Sequence, residues 1–117
     1  MGPQGVQYAQ VTSGQNVSTT VALLNNPRFV SLIIPAGVES GTAIRLKGAY
    51  AEADTFAFLR DPFTGSAQWL LPPTNPSSVP IGADISAVVA GFPYIQVALA
   101  GAGTHTAVNT ITVYAKL

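Results

Sequence analysis

Apolar and polar residues alternate strictly along two runs near the C-terminus, Tyr94-Ile-Gln-Val-Ala-Leu-Ala-Gly101 and Thr110-Ile-Thr-Val-Tyr-Ala-Lys-Leu117. A period of two places successive side chains on opposite faces of a pleated strand, whereas a helix needs a period near 3.6. In the first run Ile95, Val97 and Leu99 share one face, against Tyr94, Gln96 and Ala98. In the second, Ile111, Val113, Ala115 and Leu117 oppose Thr110, Thr112, Tyr114 and Lys116. Each run is therefore a strand with one core face and one wetter face. The link between them is rich in Gly, Thr and Asn, so the sequence predicts an antiparallel hairpin with a long exposed tip at Thr104-His105-Thr106.

The same pattern recurs upstream. Val6 to Val11 reads as a first strand carrying Val6, Tyr8 and Gln10 on one side, although residues 1–16 as a whole, with Pro3 and three glycines, read as an extended arm. From Val17 the alternation puts Val17, Thr19, Val21 and Leu23 together, and Asn25-Asn26-Pro27 closes that strand. Phe29 to Ile34 is a more apolar run, with Val30, Leu32 and Ile34 on one face. Thr42 to Tyr50 turns Ile44 and Leu46 inward, and Arg45 and Lys47 outward. Short strands follow at Phe56–Phe58 and Gln68–Leu71, then four prolines within Pro72–Pro80 force a surface loop. Asp84 to Ala90 is the one segment with helical potential, about two turns behind an Asp cap. About eight short strands separated by turn signals predict one all-β domain with at most one short helix, an antiparallel β-sandwich, with a barrel as the other architecture of that spacing.

Charge limits the function classes. Of 117 residues 48% are apolar but only 9% are charged, five basic and five acidic, against a usual charged share of about a quarter. Ser, Thr, Asn, Gln, Ala and Gly must then form much of the surface, which is cheaper to desolvate than one covered with ions. Such a surface suits a chain packed into an assembly, the plain alternative being a hydrophobic monomeric β-domain. The balanced charge offers no footprint for nucleic acid or an anionic membrane. With no Cys there is neither disulfide nor thiolate ligand. The N-terminal stretch lacks the basic and apolar regions of a signal peptide, and no apolar run is long enough to span a bilayer, so the chain is expected to be made in the cytoplasm and to stay soluble or join a particle there.

No constellation points to catalysis. His105 is the sole histidine and has neither a recognisable nucleophile nor a carboxylate partner near it in sequence. Metal sites want several His or Cys ligands, and a calcium site on Asp54 and Asp61 lacks a loop pattern. Glu52 and Asp54 would share a strand face, where carboxylates are usually a solvated patch rather than an acid/base pair across a cleft. Trp69 and the tyrosines offer aromatic faces for a sugar platform, but Trp69 beside Leu70 and Leu71 equally suits a core or an interface. Gly101-Ala-Gly103 precedes a strand, not the helix of a phosphate loop. The expectation is a non-enzyme without cofactor, metal or small-molecule ligand.

The motif order Ser31-Leu-Ile-Ile-Pro-Ala-Gly37, Thr42-Ala-Ile-Arg-Leu46, Gly91-Phe-Pro-Tyr-Ile-Gln-Val-Ala-Leu99 and Thr110-Ile-Thr-Val-Tyr-Ala-Lys116 resembles small structural proteins of tailed bacteriophages. The resemblance covers roughly residues 29–117 and departs from the pattern at the proline-rich loop and the first 28 residues. It implies a virion component akin to capsid cement (decoration) proteins, and with them a jelly-roll form of the β-sandwich. These bind the outside of the shell, often as homotrimers, and bridge subunits of the major capsid protein. Other placements it leaves open are a tail or head-fibre part, and the fold class admits a carbohydrate-binding jelly-roll module. The interface residues expected on this reading are Gln4, Val6 and Tyr8 of the arm and Thr104, His105 and Thr106 of the tip.

Overall fold

The computed structural model of the chain describes residues 6–12, 14–23, 27–34, 43–62, 81–100 and 109–116. Its strands are β1 (Val6–Val11), β2 (Val21–Ala22), β3 (Phe29–Ile34), β4 (Ala43–Ala49), β5 (Ala57–Phe58), β6 (Ile81–Asp84), β7 (Tyr94–Ala100) and β8 (Asn109–Lys116). They form two four-stranded sheets, ordered β1-β8-β3-β6 and β2-β7-β4-β5, with every pairing antiparallel. The predicted all-β sandwich of about eight strands is what the chain forms. The pairing is nested: β1 lies beside β8, β2 beside β7, β3 beside β6 and β4 beside β5. One long antiparallel ribbon, doubled at the β4–β5 turn, is thus wound so that its strands fall alternately into the two sheets.

The inner faces follow the alternation. Ala9, Val11, Val30, Leu32, Ile34, Ile111, Val113 and Ala115 from the first sheet meet Val21, Leu23, Ile44, Leu46, Ile95, Val97 and Leu99 from the second, all buried in one cluster. Leu59, Ile85, Val88 and Val89 close it from the loops. Gly48 falls on the inner side of β4, where any side chain would collide: a Cβ there would sit 2.9 Å from Leu59 Cδ2 and from the Phe92 ring. The missing side chain lets Phe92 pack over the sheet, stacked on Tyr50 with ring centres 5.2 Å apart.

Four expectations change. The closing hairpin does not exist as a pair: β7 belongs to the second sheet and β8 to the first. Eight residues separate the end of β7 at Ala100 from the start of β8 at Asn109, and the two strands they join lie in different sheets. The arm over 1–16 is, at 6–11, an edge strand of the core, registered on β8 from Val6↔Tyr114 to Val11↔Asn109, with Ala9 and Val11 fully buried.

Asp84–Ala90 is not a helix. Asp84 ends β6, and a single turn follows, closed by Val89 N–H donating to Ile85 O at 3.1 Å and Phe92 N–H to Val89 O at 3.0 Å. Gly91, at φ 86°, takes the left-handed conformation that redirects the chain into β7. The Val17–Leu23 alternation also slips, because Ser18 is buried and Thr19 is exposed. Ser18 Oγ accepts from Val97 N–H at 2.9 Å and donates to Thr19 O at 2.8 Å, so a hydroxyl stands in for a ladder partner and shifts the phase by one residue. The slip also seals the edge of β1, where Thr19 N–H donates to Gln10 O at 3.0 Å and the Gln7 amide donates to Ala22 O. Gln68–Leu71, Trp69 and Pro72–Pro80 lie outside the described residues.

Candidate functional site

The outer face of the first sheet is where the fold leaves apolar side chains in water. Once Val30, Leu32 and Ile34 point into the core, a period of two forces Phe29, Ser31 and Ile33 outward. The same geometry turns Val6, Tyr8 and Gln10 of β1 and Thr110, Thr112, Tyr114 and Lys116 of β8 to that side. Strand register arranges them in rows: Val6–Tyr114–Ser31–Asp84 across all four strands, then Tyr8–Thr112–Ile33–Gly82. Tyr8 is 58% exposed, Phe29 53%, Ile33 41% and Tyr114 39%, and these are four of the six large hydrophobics exposed among the described residues. Gly82 supplies no side chain beside Ile33 and has open space over it, so the face is uncovered at that edge.

Between the aromatic and aliphatic groups stand only Ser, Thr and Gln, whose hydration is lost at modest cost. Of the described charges on this face, Lys116 stands in the end row opposite Phe29, and Asp84 stands on the edge strand β6. An apolar, hydroxyl-rich centre with charges at the margin, and tyrosines as anchors, is the anatomy of a protein-docking surface. Opposite residues on neighbouring strands lie about 5 Å apart, so the four-strand row is a flat platform about 14 Å wide rather than a pocket.

Asp84 anchors the margin. Ser86 Oγ donates to Asp84 Oδ1 at 2.6 Å and Ser86 N–H donates to the same oxygen at 3.0 Å. The Ser86 hydroxyl first, and its backbone N–H second, hold the Asp84 carboxyl below the ordinary carboxylate range. Ser86 Oγ in turn accepts from Val30 N–H at 2.9 Å, and Ile85 N–H donates to Val30 O at 2.8 Å, so this turn is sewn to β3. Because folding favours the ionised carboxyl, its contribution is complete above the unfolded-state pKa and is lost as pH falls through the lower folded-state one. In acid titrations followed by circular dichroism, Asp84→Asn should flatten the loss of stability below the ordinary Asp range. A variant with unchanged acid dependence would show that the Ser86 bonds do not discriminate the ionised form.

Of the residues expected at an interface, Val6 and Tyr8 lie on this face, Val6 half-buried and Tyr8 exposed. Gln4, Thr104, His105 and Thr106 lie outside the described residues. Phe29, Ile33 and Tyr114 were missed, yet the signal was present: β3 is apolar on both faces, and an antiparallel sheet with one solvated face normally alternates instead. Glu52 and Asp54 are exposed in the turn between β4 and β5, not paired on a strand. Two shallow clefts flank the turn before β7, one near Pro27, Arg28 and Ser86 and the other near Phe58, Pro62 and Ala87. Neither is lined by a carboxylate, and no cluster of three potential metal ligands occurs among the described residues. No helix among them is long and apolar enough to cross a membrane. Compared with known proteins, the chain matches no protein family, no curated protein and no solved structure.

Proposed function

We propose that this chain is a bacteriophage capsid cement protein, a jelly-roll module that docks on the outer shell and bridges major capsid protein subunits. The observation that carries the reading is the outer face of the first sheet, with Tyr8, Phe29, Ile33 and Tyr114 exposed on a platform whose described charges lie at its margin. The nested strand pairing supports the jelly-roll assignment, since that fold is a doubled ribbon wound into two Greek-key sheets. The low overall charge supports residence in an assembly, and the motif resemblance supplies the kind of assembly.

The mechanism is multivalent. Each copy contributes a modest apolar contact, and copies joined as a homotrimer at shell three-fold positions bind in concert through effective concentration. A flat face suits this work, because it lies across the seam between neighbouring subunits without requiring either to open.

The test is co-sedimentation of the purified protein with expanded shells, together with the melting temperature of those shells. Saturable binding and a raised melting temperature are expected. Ile33→Asp with Tyr114→Asp should weaken binding at least about a hundredfold, as loss of two interface anchors costs about 3 kcal/mol or more, while the far-UV spectrum of the variant stays that of the parent. Failure of the parent to bind shells, binding to tails alone, or tight glycan binding lost with Tyr8→Ala and Tyr114→Ala would each overturn the reading.

A further inference from the structure

The chain carries ten charged residues, and six of them fall between positions 45 and 61: Arg45, Lys47, Glu52, Asp54, Arg60 and Asp61. That stretch is β4, its turn and β5, together with the residues just after β5. The two signs are separated along it. Arg45 and Lys47 stand on the outer face of β4, with the Arg45 Cζ 5.6 Å and the Lys47 Nζ 5.0 Å from the centre of the Phe58 ring on β5. Glu52 and Asp54 stand exposed on the turn at the end of the ribbon, where Asp54 N–H donates to Ala51 O at 3.1 Å.

No ion pair joins Arg45, Lys47, Glu52 or Asp54 to another described residue. Two cations two residues apart on one strand face repel, and the Phe58 ring offsets this only in part. Arg45 Nε is moreover buried without a hydrogen-bond partner, a cost that a structure normally avoids. Among the described residues, then, Arg45 and Lys47 have no carboxylate partner, and Glu52 and Asp54 have no basic one.

We propose that the β4–β5 ribbon is a contact between copies of this chain, in which Glu52 and Asp54 of one copy face Arg45 and Lys47 of the next. Charge complementarity selects the occupant. A partner of one sign would match half of the ribbon and repel the other half, whereas a second copy offers both signs at the same spacing. The contact lies on the second sheet and its turn, away from the docking face of the first, so it does not depend on the shell-binding reading. Exposed ion pairs are individually weak and salt-sensitive, so the contact matters where copies are already held side by side.

The sequence makes a clean test available, because its only lysines are Lys47 and Lys116. Zero-length carbodiimide coupling joins a lysine to a carboxylate only where the two already touch. Applied at low salt to an equal mixture of isotopically light and heavy chains, it should give mixed-isotope peptides linking Lys47 to Glu52 or Asp54. Added salt and the Glu52→Gln/Asp54→Asn variant should abolish them. Sedimentation at high protein concentration should show self-association weakened about tenfold in Glu52→Lys/Asp54→Lys, whose changes fall on exposed turn residues. It should be restored when that variant is mixed with Arg45→Glu/Lys47→Glu, and Lys47→Arg should associate like the parent while losing the link. Coupling through Lys116 alone, coupling only within one chain, or identical sedimentation of the parent and Glu52→Lys/Asp54→Lys would overturn the proposal.

Discussion

Deleting residues 1–11 should abolish cooperative folding. The deletion removes β1, whose Ala9 and Val11 are fully buried and whose six residues register on β8 from Val6↔Tyr114 to Val11↔Asn109. Burial of a Val side chain is worth about 1.5 to 3 kcal/mol, and the inner residues of β8, Ile111 and Val113, would lose cover as well. The ladder on one side of β8 would open, and Thr19 would lose its acceptor on Gln10. The summed loss is comparable with the about 5 to 15 kcal/mol that holds a domain of this size together. A scan by differential calorimetry should show no sharp transition, whereas deletion of residues 1–5, which leaves β1 whole, serves as the control. A truncated chain that melts within a few degrees of the parent would mean that β1 is a dispensable arm and that the sandwich closes without it.

The second large effect is expected at the centre of the other sheet. Leu46 is completely buried on β4, paired with Val97 of β7 and accepting Leu59 N–H at its carbonyl, 2.9 Å away. Leu46→Ala removes three heavy atoms from a site enclosed by both sheets, and such changes cost about 2 to 5 kcal/mol, according to how far the walls relax. For a domain of this length that corresponds to a fall in melting temperature of about 10 to 20 °C. Ile33→Ala provides the internal comparison, since it deletes similar chemistry from a residue that is 41% exposed. It should change stability by no more than about 0.5 kcal/mol, and a comparable loss there would show that the outer face is not free in solution.

These two expectations divide the molecule as its alternation does. The face that stabilises the fold and the face offered to a partner are interleaved on the same strands, one residue apart. Tyr114 can be changed without opening the core because Val113 and Ala115, on either side of it, carry the packing. The tyrosine and isoleucine anchors are therefore accessible to mutation in a way that a buried active site seldom is.

Side-chain sides were legible from the sequence, and so was the fold class. Val30, Leu32 and Ile34, Ile44 and Leu46, Ile95, Val97 and Leu99, Ile111, Val113 and Ala115 all lie inside, as their period of two requires. Local propensity could not assign Asp84–Ala90, because one turn that ends at a left-handed Gly91 has the same cap and apolar spacing as the start of a helix. Nor could it find the phase slip at Ser18, where a single hydroxyl replaces a backbone partner seventy-nine residues away. Strand partners were beyond it altogether. Alternation sets which side of a strand is buried but says nothing of which strand lies beside it, and β7 and β8, adjacent in sequence, entered different sheets. That choice belongs to the tertiary structure: pairing β8 between β1 and β3, and β7 between β2 and β4, buries both inner faces against each other. The platform of Tyr8, Phe29, Ile33 and Tyr114 follows from the same choice, since those side chains come from three strands that only the assembled sheet brings together.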